Sequence, residues 1–214
     1  MTAAGICTLD GLVGLSGFRC IVADPPWEMD RTPGGCARRK GAKGNAPMPY
    51  PMMPLADIEA MPVSGVADKD AHLYLWTVGR FLEAAPSVAR AWGFRVVNTL
   101  VWCKRRGGFV GGAYFPNVEF CLFCRRGKLP TQRRVNSQWF EWPRGRHSAK
   151  PEAFQDMVEA VSPGPRLELF ARRARLGWTV WGNEVEAKGS RGAASAYPDS
   201  AGSALSQPAS KGET

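Results

Sequence analysis

The chain has 214 residues, 44% of them hydrophobic, enough to bury one sizeable core without requiring a second domain. Its 28 Lys+Arg against 19 Asp+Glu leave a formal charge of +9, a balance that points to a polyanionic partner, nucleic acid ahead of an anionic membrane surface. Six cysteines, no signal-like lead-in and no run long and apolar enough to span a bilayer argue against a disulfide scaffold or a membrane protein, so the chain reads as soluble and intracellular.

Residues 1–18 read as a lead-in with turn glycines at Gly11, Gly14 and Gly17. Arg19–Ala23 is short, β-branched in its middle and stopped by Pro25 and Pro26, which predicts a buried strand ending in a rigid turn. Asp24 then sits at the strand's carboxyl end, the edge where open α/β sheets bind ligands. Each proline lacks an N–H, so the turn offers carbonyls with few competing donors. A carboxylate, a bare carbonyl and the Trp27 indole together suit a flat, amino-bearing ring, with two acceptors for an NH2 group and a surface to stack on. Next, residues 31–49 place Gly34, Gly35, Gly41 and Gly44 among Arg31, Arg38, Arg39, Lys40 and Lys43, the composition of a mobile basic loop able to touch phosphates.

Leu55–Met61 carries one short helical turn pattern, His72–Trp76 reads as a second buried strand, and Arg95–Trp102 as a third. Phe81–Trp92 is helical by spacing, with Pro86 implying a kink or a late start, and Gly93 ends it. Lys104–Gly112 is a second basic, glycine-rich loop, but it leads into the extended run Val118–Cys124 and not a helix, so it fails the structural test for a dinucleotide-binding loop. Cys121 and Cys124 form a lone CxxC within that run and read as buried thiols. Arg125, Arg126, Lys128, Arg133 and Arg134, with Trp139, Phe140 and Trp142 after them, mix cations and aromatics as backbone neutralisation plus base stacking would require. Pro151–Val161 is a well-marked helix with Pro151 in its first turn and Phe154, Met157, Val158 and Val161 on one stripe. Arg166–Ala171 and Trp178–Trp181 complete the strands. Strands alternating with helices predict an α/β fold with a mostly parallel sheet. Residues 187–214 shift to Gly, Ser, Ala and Pro without apolar periodicity and read as a disordered tail, leaving 1–186 as the single domain.

Nine pieces in register carry a family resemblance: Asp24–Trp27, Pro49-Tyr50 with Met53, Leu73–Trp76, Trp92–Phe94, Val101–Lys104, Asn117–Glu119, His147–Pro151, Glu168–Arg172, and Gly177-Trp178 with Gly182–Glu184. Together they resemble the MT-A family of adenine-N(6) methyltransferases over about Phe18 to Glu184. The resemblance implies a Rossmann-like methyltransferase fold with helices on both faces, S-adenosylmethionine as cofactor, and transfer of a methyl group to the exocyclic amino group of adenine. It places Asp24, Pro25, Pro26 and Trp27 in the catalytic motif, with Asp24 and the Pro26 carbonyl holding the amino group and Trp27 and Tyr50 flanking the base. Glu119 matches an acid near the adenine; Lys150 faces the cofactor carboxylate; Glu168, Arg172, Asn183 and Glu184 surround its ribose and adenine, with Asp24 alongside. The basic loop residues Arg38, Arg39 and Lys40 are candidate phosphate contacts. Small free-standing members are bacterial or phage DNA enzymes, so DNA in the cytoplasm of a bacterial or phage-infected cell is the implied substrate, with RNA, or a non-catalytic nucleic-acid-binding subunit, as alternatives. No metal and no obligate protein partner are implied.

Overall fold

The computed structural model describes residues 5–6, 12, 14–28, 52–104, 114, 116–143 and 149–182. The apolar run after Gly17 becomes the centre of the molecule, strand β2 (Phe18–Ala23), and the other strands assemble around it: β1 (Gly5–Ile6), β3 (Ala67–Thr77), β4 (Arg95–Cys103), β5 (Val118–Arg126), β6 (Trp139–Phe140), β7 (Arg166–Leu169) and β8 (Trp178–Trp181). Their order in one eight-stranded sheet is β1-β8-β7-β2-β3-β5-β4-β6. Only β5 runs against its neighbours, antiparallel to both β3 and β4; the remaining pairs are parallel.

Period-2 alternation sends the strands' side chains to two cores. Ile21 and Ala23 of β2, Leu73 and Leu75 of β3, and Leu167 and Leu169 of β7 face helices α1 (Leu55–Ala60), α2 (Val63–Val66) and α3 (Ala85–Ala91), which contribute Ile58, Val63, Val66, Val88 and Ala89. Cys20 and Val22, Tyr74 and Trp76, and Cys121 and Phe123 face the other way, onto Phe154 and Val158 of α4 (Glu152–Val161). The result is a helix–sheet–helix sandwich, the expected α/β architecture. Phe154, fully buried and edge-on to Tyr74 and Trp76, is the central knob of the α4 face; truncating it to alanine would cost ~3–5 kcal/mol.

Local chemistry explains where the elements differ from expectation. The 81–92 segment starts as a 3-10 turn (Gly79–Phe81), and the α-helix begins only at Ala85, which leaves Pro86 in a first turn where its missing N–H costs nothing. Gly93 closes it at φ +81. Pro151 is the N-cap residue and not part of the first turn, so α4 starts at Glu152, whose carboxylate suits the dipole there. β7 stops at Leu169, two residues early, because Phe170 turns to φ +61. The two-residue strands β1 and β6 and the four-residue α2 are too short to print a period and were not legible. Cys121 and Cys124 point to opposite sheet faces; burial pushes the Cys124 thiol up to about 12 and the Cys121 thiol well above its ordinary value. No helix of the described residues is long and apolar enough to cross a membrane.

A neutral polar knot lies at the middle of β3. His72 Nε2 is 3.1 Å from the Leu129 carbonyl, which only accepts, so that nitrogen carries the proton. Nδ1 then accepts from the Ser162 hydroxyl at 2.8 Å, and the Tyr74 hydroxyl donates to Ser162 Oγ at 2.9 Å. All three side chains are buried. Burial, reinforced by Arg125 and Arg19 against the Leu129 hydrogen bond, lowers the imidazole's pKa from its ordinary value.

Candidate active site

The chain turns back on itself at β2. From β2 the path moves through β3 toward β4 with α1, α2 and α3 on one face, and later returns through α4, on the opposite face, to β7 on the other side of β2. The carboxyl ends of β2 and β7 therefore flank a topological switch point, the crevice where open α/β sheets take ligands.

Asp24 leaves β2 at this crevice. The turn behind it is tied at several points: Trp27 N–H donates to the Pro25 carbonyl at 2.9 Å, Met53 N–H donates to the Pro26 carbonyl at 2.8 Å, and Trp27 Nε1–H donates to the Trp76 carbonyl at 3.1 Å. Two expectations change here. The proline carbonyls are not bare: each accepts one backbone hydrogen bond and keeps one lone pair. The Trp27 indole is not an open platform either, since it is 7% exposed and stacked on Phe81 at 5.4 Å. An aromatic residue between two strand ends finds more apolar contact inward than outward, and Trp27 anchors the turn.

Lys150, immediately before Pro151 and α4, reaches across the crevice to Asp24 Oδ2 at 2.7 Å and to Glu119 Oε2 at 3.2 Å, with its ammonium 5.1 Å over the Trp76 ring. Lys104, just past β4, pairs with the other Glu119 oxygen and lies over Trp102 at 4.7 Å. The antiparallel β4–β5 pair brings Lys104 and Glu119 to this edge, closed by Lys104 N–H to the Asn117 carbonyl at 2.8 Å. The four charges alternate: Asp24, Lys150, Glu119, Lys104. Burial alone would raise the Glu119 pKa, but Lys150 and Lys104 outweigh it and hold the carboxyl below its ordinary value. Burial would equally lower the Lys150 pKa, and Asp24 and Glu119 reverse that, so the ammonium stays charged.

Glu168 sits on β7 opposite Val22 of β2, facing the α4 side. Burial, with Asp24 acting in the same sense and Arg173 against it, pushes its carboxyl up to about 7. Gln155 of α4, buried within the apolar stripe, donates to Glu168 Oε2 at 2.7 Å and accepts from Arg173 at 3.0 Å. Arg175 fastens the same loop to α4 through Glu152 at 2.8 Å, Asp156 at 2.6 Å and Glu159 at 2.7 Å. Arg172 lies three residues past β7 at the crevice edge. Gly182 follows β8 so closely against the Ala171 backbone that a Cβ there would meet its carbonyl oxygen at 2.4 Å, so only glycine fits beside this loop.

The structure thus gathers Asp24, Glu119, Lys150, and Glu168 with Arg172 from four separate stretches at one sheet edge. Tyr50, Arg38, Arg39, Lys40, Asn183 and Glu184 lie outside the described residues, as does the 187–214 tail. Three participants were missed. Lys104 was legible in principle, as the residue that a β4–β5 hairpin places beside Glu119. Gln155 carried a signal as the polar residue between Phe154 and Met157 of a helix stripe. Trp76 was read only as core.

The chain matches the MT-A70 family model over residues 18–184. It is 30% identical over 186 residues to the type II methyltransferase M.MunI of Mycoplasma sp, covering 78% of each chain. It is 28% identical over 202 residues to a probable N(6)-adenosine-methyltransferase MT-A70-like protein of Oryza sativa subsp. japonica, and 25% identical over 183 residues to the human N(6)-adenosine-methyltransferase catalytic subunit METTL3. Those two matches cover 87% and 80% of this chain but only 26% and 29% of the relatives, so the chain spans little more than a quarter of either eukaryotic protein. The chain belongs to the MT-A70 family of Rossmann-like, S-adenosylmethionine-dependent methyltransferases acting on nucleic acid.

Proposed function

We propose that the protein transfers a methyl group from S-adenosylmethionine to the N(6) amino group of adenine in DNA, in the cytoplasm of a bacterial or phage-infected cell. The observation that carries this reading is Asp24 held by Lys150 at 2.7 Å in the crevice between the ends of β2 and β7. The donor set fits the cofactor. Lys150 spends two of its three N–H donors on Asp24 and Glu119 and keeps one for a carboxylate; Glu168 and Arg172 provide acceptor and donor for ribose and adenine edges, joined in this proposal by Asn183 and Glu184. When bound, S-adenosylmethionine supplies an electrophilic methyl group on a sulfonium.

The chain's own residues supply position and charge. An adenine amino nitrogen is a poor nucleophile because its lone pair is delocalised into the ring. Asp24 Oδ1 and the remaining lone pair of the Pro26 carbonyl accept its two hydrogens, which draws the nitrogen toward tetrahedral geometry and localises the pair. Lys150 fixes the Asp24 rotamer through Oδ2, and Trp27, anchored on Trp76, fixes the turn. Tyr50 covers the base, Glu119 lies near its edge, and Arg38, Arg39 and Lys40 contact phosphates. In a duplex the base must first leave the stack, at a cost of a few kcal/mol.

DNA is preferred because the chain and the Mycoplasma enzyme cover each other to 78%. RNA is the second reading, favoured by relatives named adenosine methyltransferases. Nucleoside mass spectrometry on DNA and RNA separately, from cells with and without the expressed protein, tests both. N(6)-methyladenine should rise in DNA alone; a rise in RNA alone would reassign the substrate, and a rise in neither would sink the enzymatic reading in favour of a binding subunit.

A further inference from the structure

From Arg125 to Trp142 the sequence crowds five cations with three aromatics, and the fold sorts them. Arg125 turns its guanidinium onto the Leu129 carbonyl and Arg126 onto the Ser64 carbonyl. Phe140 and Trp142 stack on each other at 4.3 Å, and Trp142 meets Phe154 edge-on in the α4-side core. Left at the surface are Lys128, whose backbone N–H is tied to Asp70, Arg133 and Arg134, both exposed and held by no described residue, and the Trp139 indole, 60% exposed.

Arg133 and Arg134 rim an open cavity of about 400 Å³ against α4, floored by Val135, Met157 and Ala160. The carboxylate on its wall, Asp156, shares Arg175 with Glu152 and Glu159 and is outnumbered by Arg133 and Arg134, so the cavity lining carries net positive charge over an apolar floor. From it the chain follows the outer edge of the sheet toward the crevice. Val101 N–H donates to the Gln138 carbonyl at 2.7 Å, Trp139 and Phe140 pair with Val101 and Trp102, and Trp102 Nε1–H donates to the Trp142 carbonyl at 3.0 Å. Trp102 is in turn paired with Glu119, whose carboxylate meets Lys150. From Arg134 to Trp142 the chain spans no more than ~30 Å.

We propose that this track is the subsite for the nucleic-acid strand flanking the target base, with phosphates on Arg133 and Arg134 and a flanking base on the Trp139 indole. The inference rests on the methyltransferase reading and extends it to a surface outside the catalytic crevice. Phosphate contacts set the register of the strand, and an exposed indole adds affinity that tolerates any base. The formal charge of +9 and the nucleic-acid substrate of the family favour a nucleic-acid strand over an acidic protein segment on these two guanidiniums, which pair with no described residue.

The test is fluorescence anisotropy with labelled oligonucleotides of mixed sequence, DNA and RNA, single-stranded and duplex, across a potassium chloride series, on the full chain. Arg133→Ala/Arg134→Ala should reduce the slope of log affinity against log salt by about 1.8 on duplex DNA or about 1.4 on single strands. Trp139→Ala should weaken single-strand binding about 5- to 100-fold with the slope unchanged, and Trp139→Phe should restore most of it. A change confined to the DNA or the RNA arm identifies which strand the track carries. Melting temperature and calorimetric S-adenosylmethionine affinity report that the variants are folded. Wild-type affinity and slope in both variants would overturn the proposal, as would a Trp139→Ala effect on self-association in sedimentation with nucleic-acid binding intact. Methylation of the same oligonucleotides separates the two failures: wild-type protein that methylates while the variants bind like it refutes the track alone, wild-type protein that methylates neither DNA nor RNA while the variants lose affinity refutes the enzymatic reading alone, and both results together refute both.

Discussion

Two polar clusters share the α4 face of the sheet and answer burial in opposite ways. At the middle of β3, His72, Ser162 and Tyr74 are uncharged, fully enclosed and mutually hydrogen-bonded down to the Leu129 carbonyl. At the other edge, Asp24, Lys150, Glu119 and Lys104 are partly exposed and ion-paired in alternation. The first arrangement uses every donor it has and is fully enclosed, so it stabilises one packing and offers nothing to a ligand. The second keeps spare capacity among the described residues, one N–H on Lys150 and one oxygen on Asp24, in a crevice that no single strand could build. Unused hydrogen-bonding capacity at converging strand ends, and not polarity as such, marks the functional cluster.

Breaking each cluster should therefore fail differently. Asp24→Ala removes the acceptor for the amino group while Lys150 keeps Glu119 as counter-ion; methyl transfer in a single-turnover assay should fall by at least about 10³-fold with the melting temperature nearly unchanged. Near-normal turnover in that variant would refute the acceptor role. Lys150→Ala loses the cofactor contact and also leaves two carboxylates facing each other, so S-adenosylmethionine affinity by calorimetry should drop about 10- to 100-fold, with stability reduced by about 2 kcal/mol given that the pair is 17–22% exposed. Lys150→Met, which restores packing without charge, should leave the affinity loss in place. Ser162→Ala sharpens the contrast from the other side: it strands His72 Nδ1 and the Tyr74 hydroxyl, costing about 1–3 kcal/mol in urea unfolding while turnover of the folded enzyme stays at wild-type level.

How much of this was legible depended on whether a residue's partner was near in sequence. β2, α3, α4 and β8 were written in their own periodicity, because each buries a stripe or an alternating row against the same two cores. The meeting of Asp24 with Lys150, 126 residues away, is printed by no period; only the ordered family pattern placed both in one site. The Trp27 indole was misread as a stacking surface because a motif lists residue types without saying which face is covered, and Phe81 covers it. Gln155 hid inside an apolar stripe, although one amide among Phe154, Met157 and Val158 was the available hint that something polar waited on β7. β6 is two residues long and owes its strand geometry to β4, so local sequence could not announce it.

The smallest expected effect sets the neutral knot against Glu168, the buried carboxyl beside the charged cluster. Glu168 has its folded pKa raised to about 7 from 4.5, so between those values the folded state keeps a proton that the unfolded chain releases; stability falls as pH rises through this window and the loss is complete above about 7. His72 has its folded pKa lowered from 6.5, so below that value the unfolded chain takes up a proton that the folded state refuses; its contribution is whole above pH 6.5 and is lost as pH falls. Within the overlap below pH 6.5 the two slopes oppose one another. Glu168→Gln should therefore raise stability at about pH 8 by on the order of 1–2 kcal/mol relative to wild type, and its stability curve should then rise with pH up to the His72 limit and stay flatter beyond it. A Glu168→Gln curve that parallels wild type across this range would show that Glu168 ionises in the folded protein as readily as in water, and that the crevice edge is wetter than its packing against Gln155 and α4 implies.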